Sequence, residues 1–265
     1  MQPVFSTPTI DPATLDETRR EALIDRLYDV QRDVFEGVSR AQLARYVVDS
    51  PAERTALRVY SDQVGRPVGY LAIHYYERPL GDETALIVRA EAGFRREYRG
   101  RSCAHLFGFR HMVQRALSWR RGPVYFLSCP VHPAMYMVLA RSVPAIYPHW
   151  SRPTPSALER LLTELADDFG LDPVTGADPW VRQVGWTTRE SPPERALWRR
   201  HPAPAVRYYL ARNPGYGQGR GMLTLIPGTW ANILGALPRL LTRPLIRRLR
   251  RLSARLPSGL VPAAA

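Results

Sequence analysis

A strand, a basic turn and a helix follow one another directly over residues 84–119, and this succession constrains the fold more than any other feature of the chain. Residues 84–94 are rich in β-forming side chains, and residues 104–119 place apolar side chains at helical spacing. Between them, residues 95–103 contain four arginines and Gly100. Small residues in such a turn let backbone N–H groups approach an anion, and the following helix directs its positive end at the same point. The segment therefore predicts a phosphate-binding turn.

The other elements of the first 150 residues surround this segment in a regular order. Two β-rich runs, 55–60 and 67–76, are joined by a turn containing Gly65 and predict a hairpin. The remaining expected elements are a short buried strand over 124–129 and helices over 15–36, 39–48 and 133–142. The order helix, helix, hairpin, strand, helix, strand, helix predicts a mixed sheet with covering helices.

Beyond residue 150 the periodic signals are weaker. A helix is expected over 156–169, and strands are expected over 181–187, 206–210 and 222–226. The Gly-rich run 215–221 lacks the Lys-Ser/Thr pair of a nucleotide loop. It therefore predicts a flexible hairpin or a loop that covers the substrate.

The basic charge is concentrated in the C-terminal quarter. The chain of 265 residues carries a formal net charge of +13, and residues 196–265 contribute twelve arginines and no Asp or Glu. In residues 227–265 leucines recur at three- and four-residue spacing among arginines, which is typical of a helix lying on an anionic membrane surface. Docking of these leucines on the protein's own core is the alternative. Nucleic-acid binding is disfavoured, because an RNA-binding segment would expose more aromatic side chains.

The turn resembles the pyrophosphate-binding motif of the GNAT superfamily of N-acetyltransferases, Arg-Gly-x-Gly-x-Gly/Ala, although Ser102 stands at the central glycine. The resemblance covers roughly residues 15–150 and implies acetyl-coenzyme A, or another acyl-coenzyme A, as the donor. It also implies that the strands around 90–94 and 126–129 diverge to admit the pantetheine arm. The residues that it places at the cofactor are Phe94, Arg96, Arg99, Gly100, Arg101, Ser102, Cys103 and Ala104. The alternative is a solvated turn.

Element order and resemblance together predict an α+β fold. We expect a GNAT-like mixed, mostly antiparallel sheet flanked by helices, with a C-terminal extension and a basic amphipathic tail. Residues 1–150 are expected to form the core with the N-terminal helices, and residues 151–226 to complete or extend the sheet. Residues 227–265 are expected to form the tail.

Acyl transfer to an amine requires a base for the amine proton and an acid for the leaving thiolate. Alternation along the strand 84–94 places Arg89 and Glu91 on the face opposite to Leu86, Val88 and Ala90. The resemblance implies an acidic residue on this strand as the base, and Glu91 is the candidate. An ion pair with Arg89 is the alternative role.

For the acid, the resemblance implies a tyrosine in the helix after the diverging strand. Leu139 occupies that position, and Tyr136, one turn earlier, is the substitute candidate. His132, at the start of the same helix, is a candidate proton relay. The alternatives are a packed aromatic ring for Tyr136 and a helix cap for His132.

The two cysteines, Cys103 and Cys129, predict neither a disulfide framework nor a zinc site, and no metal is expected. The first residues lack the pattern of a signal peptide, which predicts a cytoplasmic protein. If its basic tail lies on a membrane and does not dock on the core, the inner membrane face is the expected surface. The implied function is transfer of an acyl group, acetyl in the first instance, to an amine of a small molecule or a protein. The alternatives are a long-chain N-acyltransferase and a GNAT-like fold that binds a ligand or partner without catalysis.

Overall fold

A computed structural model of the chain describes residues 3–99 and 104–238, with helices on both faces of a central sheet. The helices are α1 (Glu17–Val34), α2 (Arg40–Leu43), α3 (Ala104–Ser118), α4 (Pro133–Ser142), α5 (Ser156–Asp168), α6 (Pro192–Arg199) and α7 (Pro204–Arg212). The strands are β1 (Phe5–Ser6), β2 (Phe35–Glu36), β3 (Arg54–Ser61), β4 (Pro67–Leu80), β5 (Glu83–Phe94), β6 (Val124–Ser128), β7 (Val181–Gln183), β8 (Thr187–Thr188), β9 (Arg220–Met222) and β10 (Thr224–Pro227). Residues 230–238 are also helical.

The central sheet has six strands in the order β1-β3-β4-β5-β6-β10. All neighbouring pairs are antiparallel except β5 and β6, which are parallel. The predicted mixed, mostly antiparallel sheet is therefore confirmed. The strand β10 comes from the C-terminal part of the chain and pairs with the outer edge of β6.

Apolar side chains cover both faces of the sheet. The helix α3 packs on one face through Phe107, against a layer that includes Leu71, Ile73, Leu86 and Val88. On the other face, α1 and α2 cover β3 and β4, whereas α4, α5 and α7 cover β5, β6 and β10. Arg89 and Glu91 belong to this second face, between the two groups of helices.

The helix α1 illustrates how the sequence produces this packing. Asp16 caps it by accepting a hydrogen bond from the backbone N–H of Arg19 at 2.8 Å. Its apolar side chains recur at three- and four-residue spacing, which gives the helix one buried stripe: Leu23, Ile24, Leu27, Val30 and Val34. Each such side chain contributes about 1.5–3 kcal/mol when fully buried.

The elements predicted before residue 170 are confirmed, with bounds that shift by a few residues. One prediction beyond that point is wrong, because residues 206–210 form the helix α7 and not a strand. Its buried residues Ala205, Val206 and Tyr209 lie on one helical face, and Pro204 sits at the start. The Gly-rich run 215–221 therefore follows a helix, and Gly219 adopts a left-handed conformation before β9.

Two further differences concern short elements. The strand expected over 181–187 is divided into β7 and β8, and the helix α6 was not predicted. Among the described residues, no helix is long and apolar enough to cross a membrane.

Candidate active site

The strands β5 and β6 pair over only a short stretch. Their parallel pairing begins at Leu86 and Val124 and ends at Val88 and Phe126, although β5 continues to Phe94. The pairing thus ends where the family resemblance implies that the two strands diverge. We call the unpaired stretch beyond Val88 and Phe126 the β5–β6 opening.

The turn after β5 is fixed to α1 by Arg95. This side chain is buried and donates to the carboxylates of Asp29, at 2.7 Å, and Asp33, at 2.5 Å. It also donates to the backbone carbonyl of Asp29 at 3.1 Å. Burying an arginine is costly unless its charge is paired, and here two carboxylates pair with it. Arg95 therefore has a structural role that the sequence did not reveal.

Phe94 also has a structural position. Its ring lies 5.2 Å from the ring of Tyr60, between centroids, and fills the space over Gly69. A side chain at Gly69 would meet the Phe94 ring at 2.1 Å, so the glycine is required for this contact. The predicted contact of Phe94 with the cofactor stays a prediction.

The basic turn faces the helix α6. Arg96 forms an ion pair with Glu194, and Arg99 donates to the backbone carbonyl of Phe94 at 3.1 Å. The pKa of Arg99 is lowered by burial and by the neighbouring Arg96, and Glu194 opposes this effect. Two guanidinium groups therefore lie together at the end of β5, as an anion-binding turn requires.

Four of the predicted cofactor residues, Gly100, Arg101, Ser102 and Cys103, lie outside the described residues. The helix α3 begins at Ala104, whose side chain is buried against the sheet. The positive end of this helix is thus close in sequence to Arg96 and Arg99.

Glu91 lies just beyond the last β5–β6 pair and lines a cavity of about 20 Å³ between α1, α2 and the sheet. Its side chain is 26% exposed, and its carboxylate is 3.9 Å from the guanidinium of Arg89. Burial raises the pKa of Glu91, and the charge of Arg89 opposes the shift. The ion pair with Arg89, the alternative role of Glu91, is therefore present, although its two groups are widely separated.

A buried hydrogen bond forms another wall of this cavity. The hydroxyl of Tyr70 donates to Gln31 Oε1 at 2.5 Å, and both side chains line the cavity with Glu91. Burial, and then the charge of Glu91, raise the pKa of Tyr70, so its hydroxyl stays protonated. Gly93 lies beneath the Tyr70 ring, where a side chain would come within 3.0 Å of it.

His132 caps the helix α4 and belongs to a buried polar cluster. Its Nδ1 accepts a hydrogen bond from the backbone N–H of Ala134 at 3.2 Å, and its Nε2 lies 3.3 Å from Glu190. Nδ1 acting as an acceptor places the proton on Nε2, which then donates to Glu190. Burial lowers the pKa of His132, and Glu190 opposes the shift. Both ring nitrogens are thus engaged within the protein.

Glu190 is the centre of this cluster. Its side chain is 4% exposed and accepts hydrogen bonds from Arg195 at 3.0 Å and from the Tyr216 hydroxyl at 2.9 Å. Three partners satisfy a carboxylate that would otherwise be expensive to bury. The sequence signal for this arrangement is the run Ser-Pro-Pro-Glu at 191–194, which forms the capping box of α6.

Tyr136 is fully buried in the core, and its hydroxyl donates to the backbone carbonyl of Pro148 at 2.9 Å. Its ring stacks on Tyr208 at 6.0 Å. Burial raises the pKa of Tyr136, which keeps the hydroxyl protonated. Burial also raises the pKa of Cys129 to about 12, so its thiol is not a nucleophile near neutral pH.

The sheet order, the parallel pair of β5 and β6 with its opening, and the basic turn before α3 agree with the GNAT-type fold that the sequence resemblance implies. No protein-family model matches the chain, and no curated protein matches it. Its fold is similar to that of the ribosomal-protein-S18-alanine N-acetyltransferase from Escherichia coli, with a TM-score of 0.33 and 10% identity over 88% of this chain and 97% of that chain. It is also similar to a GCN5-related N-acetyltransferase from Kribbella flavida, with a TM-score of 0.34 and 11% identity over 84% of this chain and 97% of that chain. Because these scores are low, the fold assignment rests on the topology of this chain.

Proposed function

We propose that the chain transfers an acyl group, acetyl in the first instance, from coenzyme A to an amine. The observation that carries the proposal is Glu91, a mostly buried carboxylate with a raised pKa beside the β5–β6 opening. A general base works best when its pKa lies close to the working pH, and burial moves a carboxyl group in that direction.

The residues at the end of β5 fit the donor. Arg96 and Arg99 supply positive charge for a pyrophosphate, and α3 begins directly after the turn. The β5–β6 opening leaves the edge of β5 beyond Val88 without a partner in β6, which suits an extended pantetheine arm. The bound donor supplies a thioester carbonyl for the amine to attack.

Glu91 then takes the proton of the amine, directly or through one water in the cavity beside it. The amine nitrogen forms a bond to the thioester carbonyl carbon, the carbon–sulfur bond breaks, and solvent protonates the thiolate. Tyr136 and His132 are committed to Pro148, Ala134 and Glu190 in this structure. We therefore give both a structural role and assign proton transfer to Glu91.

The test is calorimetry with coenzyme A and acetyl-coenzyme A, using the double variant Arg99→Ala, Gly100→Asp. We expect at least a tenfold loss of affinity, because one phosphate partner is removed and a carboxylate is introduced. The matched control is Arg66→Ala, Gly65→Asp, which makes the same charge change in the β3–β4 turn. Unchanged affinity in the first variant would contradict the proposal, as would absence of coenzyme A binding by the native chain.

A further inference from the structure

The cavity beside Glu91 has walls of unusual composition. Among the described residues, four aromatic side chains line it, and Glu91 is the only charged residue of the lining. The aromatic residues are Phe35, Tyr46, Tyr70 and Trp186. Aromatic faces attract cations, and Trp and Tyr do so most strongly. The walls and the carboxylate therefore favour the same kind of ligand.

On this basis we infer that the acceptor is a straight-chain primary amine that enters the aromatic cavity as its alkylammonium form and meets Glu91. The ammonium gives one proton to Glu91 before its nitrogen attacks, and the second proton leaves the new amide nitrogen through solvent as the thiolate is protonated. The inference rests on the proposed function and adds the class of acceptor. A buried carboxylate gains from an ammonium beside it, because the pair offsets the cost of burying each charge. Arg89, the other cation near Glu91, approaches only to 3.9 Å and stacks over the Phe169 ring at 4.6 Å.

The size of the cavity limits the shape of the ligand. A volume of about 20 Å³ holds one group of the size of a water molecule. An unsubstituted ammonium is of this size, whereas a branched carbon next to the nitrogen is too wide. Tyr46, one of the lining residues, is 42% exposed, and its ring meets that of Trp186 edge to face at 5.4 Å between centroids.

Trp186 reaches this position through a contact between distant parts of the chain. The strand β2, after α1, pairs with β8, which directly follows Trp186. Gly37 and Gly185 approach so closely that a side chain at Gly37 would lie 2.5 Å from the carbonyl oxygen of Gly185. Arg189 strengthens the contact by donating to the backbone carbonyl of Arg32 and to Glu36, both at 2.9 Å. The aromatic wall is thus a fixed part of the fold.

The experiment compares n-butylamine with tert-butylamine, which have the same formula and charge but differ in width at the nitrogen. With saturating acetyl-coenzyme A, we expect kcat/KM for n-butylamine to exceed that for tert-butylamine at least tenfold. Trp186→Leu should reduce this ratio at least threefold, mainly by raising KM for n-butylamine. The control Trp230→Leu, on an exposed tryptophan that does not line the cavity, should leave the ratio unchanged.

Equal use of the two amines, or an unchanged ratio in Trp186→Leu, would overturn the inference while leaving acyl transfer itself established. A second readout does not depend on catalysis. Saturation-transfer NMR should detect n-butylamine on the native chain without coenzyme A, and the signal should fall at least threefold in Glu91→Gln. If acetyl-coenzyme A fails to bind but this signal behaves as expected, the proposed function is wrong and the ammonium site stands. If the signal is absent from the native chain, the ammonium site is wrong.

Discussion

At the scale of single residues, Glu91 is placed between two opposing influences. Burial favours its protonated form, and the positive charge of Arg89 favours its ionised form. The net effect raises the pKa above that of an ordinary glutamate. A base of this kind must be ionised to act, so acid should abolish activity at a higher pH than for an exposed carboxylate.

We therefore expect Glu91→Gln to lower kcat about 10²–10⁴-fold, with little change in the affinity for acetyl-coenzyme A. The native pH profile of kcat should fall on the acidic side, and this limb should disappear in the variant. The control is Glu83→Gln, an exposed glutamate at the start of the same strand. Normal turnover by Glu91→Gln would make Glu91 a structural residue.

His74 provides a separate prediction about stability. It is 1% exposed, its Nδ1 lies 2.9 Å from the Thr55 hydroxyl, and burial, with Arg89, lowers its pKa to about 4. The unfolded chain binds this proton near the ordinary histidine pKa of about 6.5, whereas the folded chain resists it. The contribution of neutral, buried His74 to the free energy of unfolding is therefore fully present above about pH 6.5. It is lost progressively as the pH falls towards the pKa of His74 in the folded chain.

We expect His74→Gln to weaken this loss of stability between pH 7 and pH 5, measured as the shift of the urea unfolding midpoint. The dependence of the unfolding midpoint on pH should become weaker but should not vanish, because burial and nearby arginines also lower the pKa of His111 to about 4. His201→Gln, a half-buried histidine in the loop before α7, is the control and should retain the native slope. An identical slope in His74→Gln would show that His74 does not contribute.

At the scale of elements, the helix α6 contacts the body of the protein through polar side chains and through Trp198, whose ring meets that of His132 edge to face at 5.2 Å. None of its residues is buried, and Glu194 connects it to the basic turn through Arg96. Burial acts to raise the pKa of Glu194, but hydrogen bonds from Ser191 and the charge of Arg96 outweigh it and the pKa is lowered. Glu194 is therefore ionised, and it pairs with the guanidinium of Arg96, which a phosphate of the donor would otherwise bind.

We expect Glu194→Gln to raise the affinity for coenzyme A by up to about fivefold, since an exposed ion pair contributes roughly 0.2–1 kcal/mol. Glutamine preserves the capping box of α6. The control is Glu159→Gln, an acidic residue in the first turn of α5. A loss of affinity on titration with coenzyme A would show that Glu194 supports the turn and does not compete for it.

The elements of the fold differ in how well the sequence alone predicts them. The order of elements up to residue 150 was predictable because hydrophobic periodicity and turn residues agree there. The prediction of a strand at 206–210 was wrong because Val206 and two tyrosines favour strands by propensity. The burial of Val206 and Tyr209, which are three residues apart, fits a helix instead. Glu91 was a candidate because the family resemblance implies an acidic residue on this strand and because strand alternation places Glu91 on the face opposite to Leu86 and Val88. The cavity beside it was not predictable, because Tyr46 and Trp186 meet only through the pairing of β2 with β8.

At the scale of the whole molecule, the C-terminal tail is expected either to bind a membrane surface or to pack on the protein's own core. Residues 239–265 lie outside the described part of the chain, and the last described residues, 230–238, are helical. Ile233 and Ala236 are buried, and the Asn232 side chain donates to the carbonyl of Ala145 at 2.8 Å. Trp230, at 62%, and Leu234, at 58%, are exposed. A truncation should therefore end at residue 238 and not before this helix.

We expect the intact chain to sediment with phosphatidylserine-containing vesicles at low salt, and truncation to residues 1–238 to abolish this. Seven arginines in residues 239–265, at about 1 kcal/mol each near an anionic surface, should make the attachment salt-sensitive. Vesicles of phosphatidylcholine alone are the control. If the intact chain stays in solution and the truncation instead lowers the melting temperature, the leucines dock on the protein's own core.

The position of β10 and β8 in the sequence has a consequence for the protein as it is being synthesised. The strand β6 pairs with β10, and Trp186, next to β8, lines the cavity beside Glu91. Both contacts therefore form only after the last third of the chain has been synthesised. A ribosome-bound intermediate ending before β8 would present β6 as a bare sheet edge, open to pairing with other chains. It would also leave the Glu91 carboxylate open to water. Fragments released by premature termination should therefore be prone to aggregation, and the proposed acyl transfer should appear only after β8 and β10 have been synthesised.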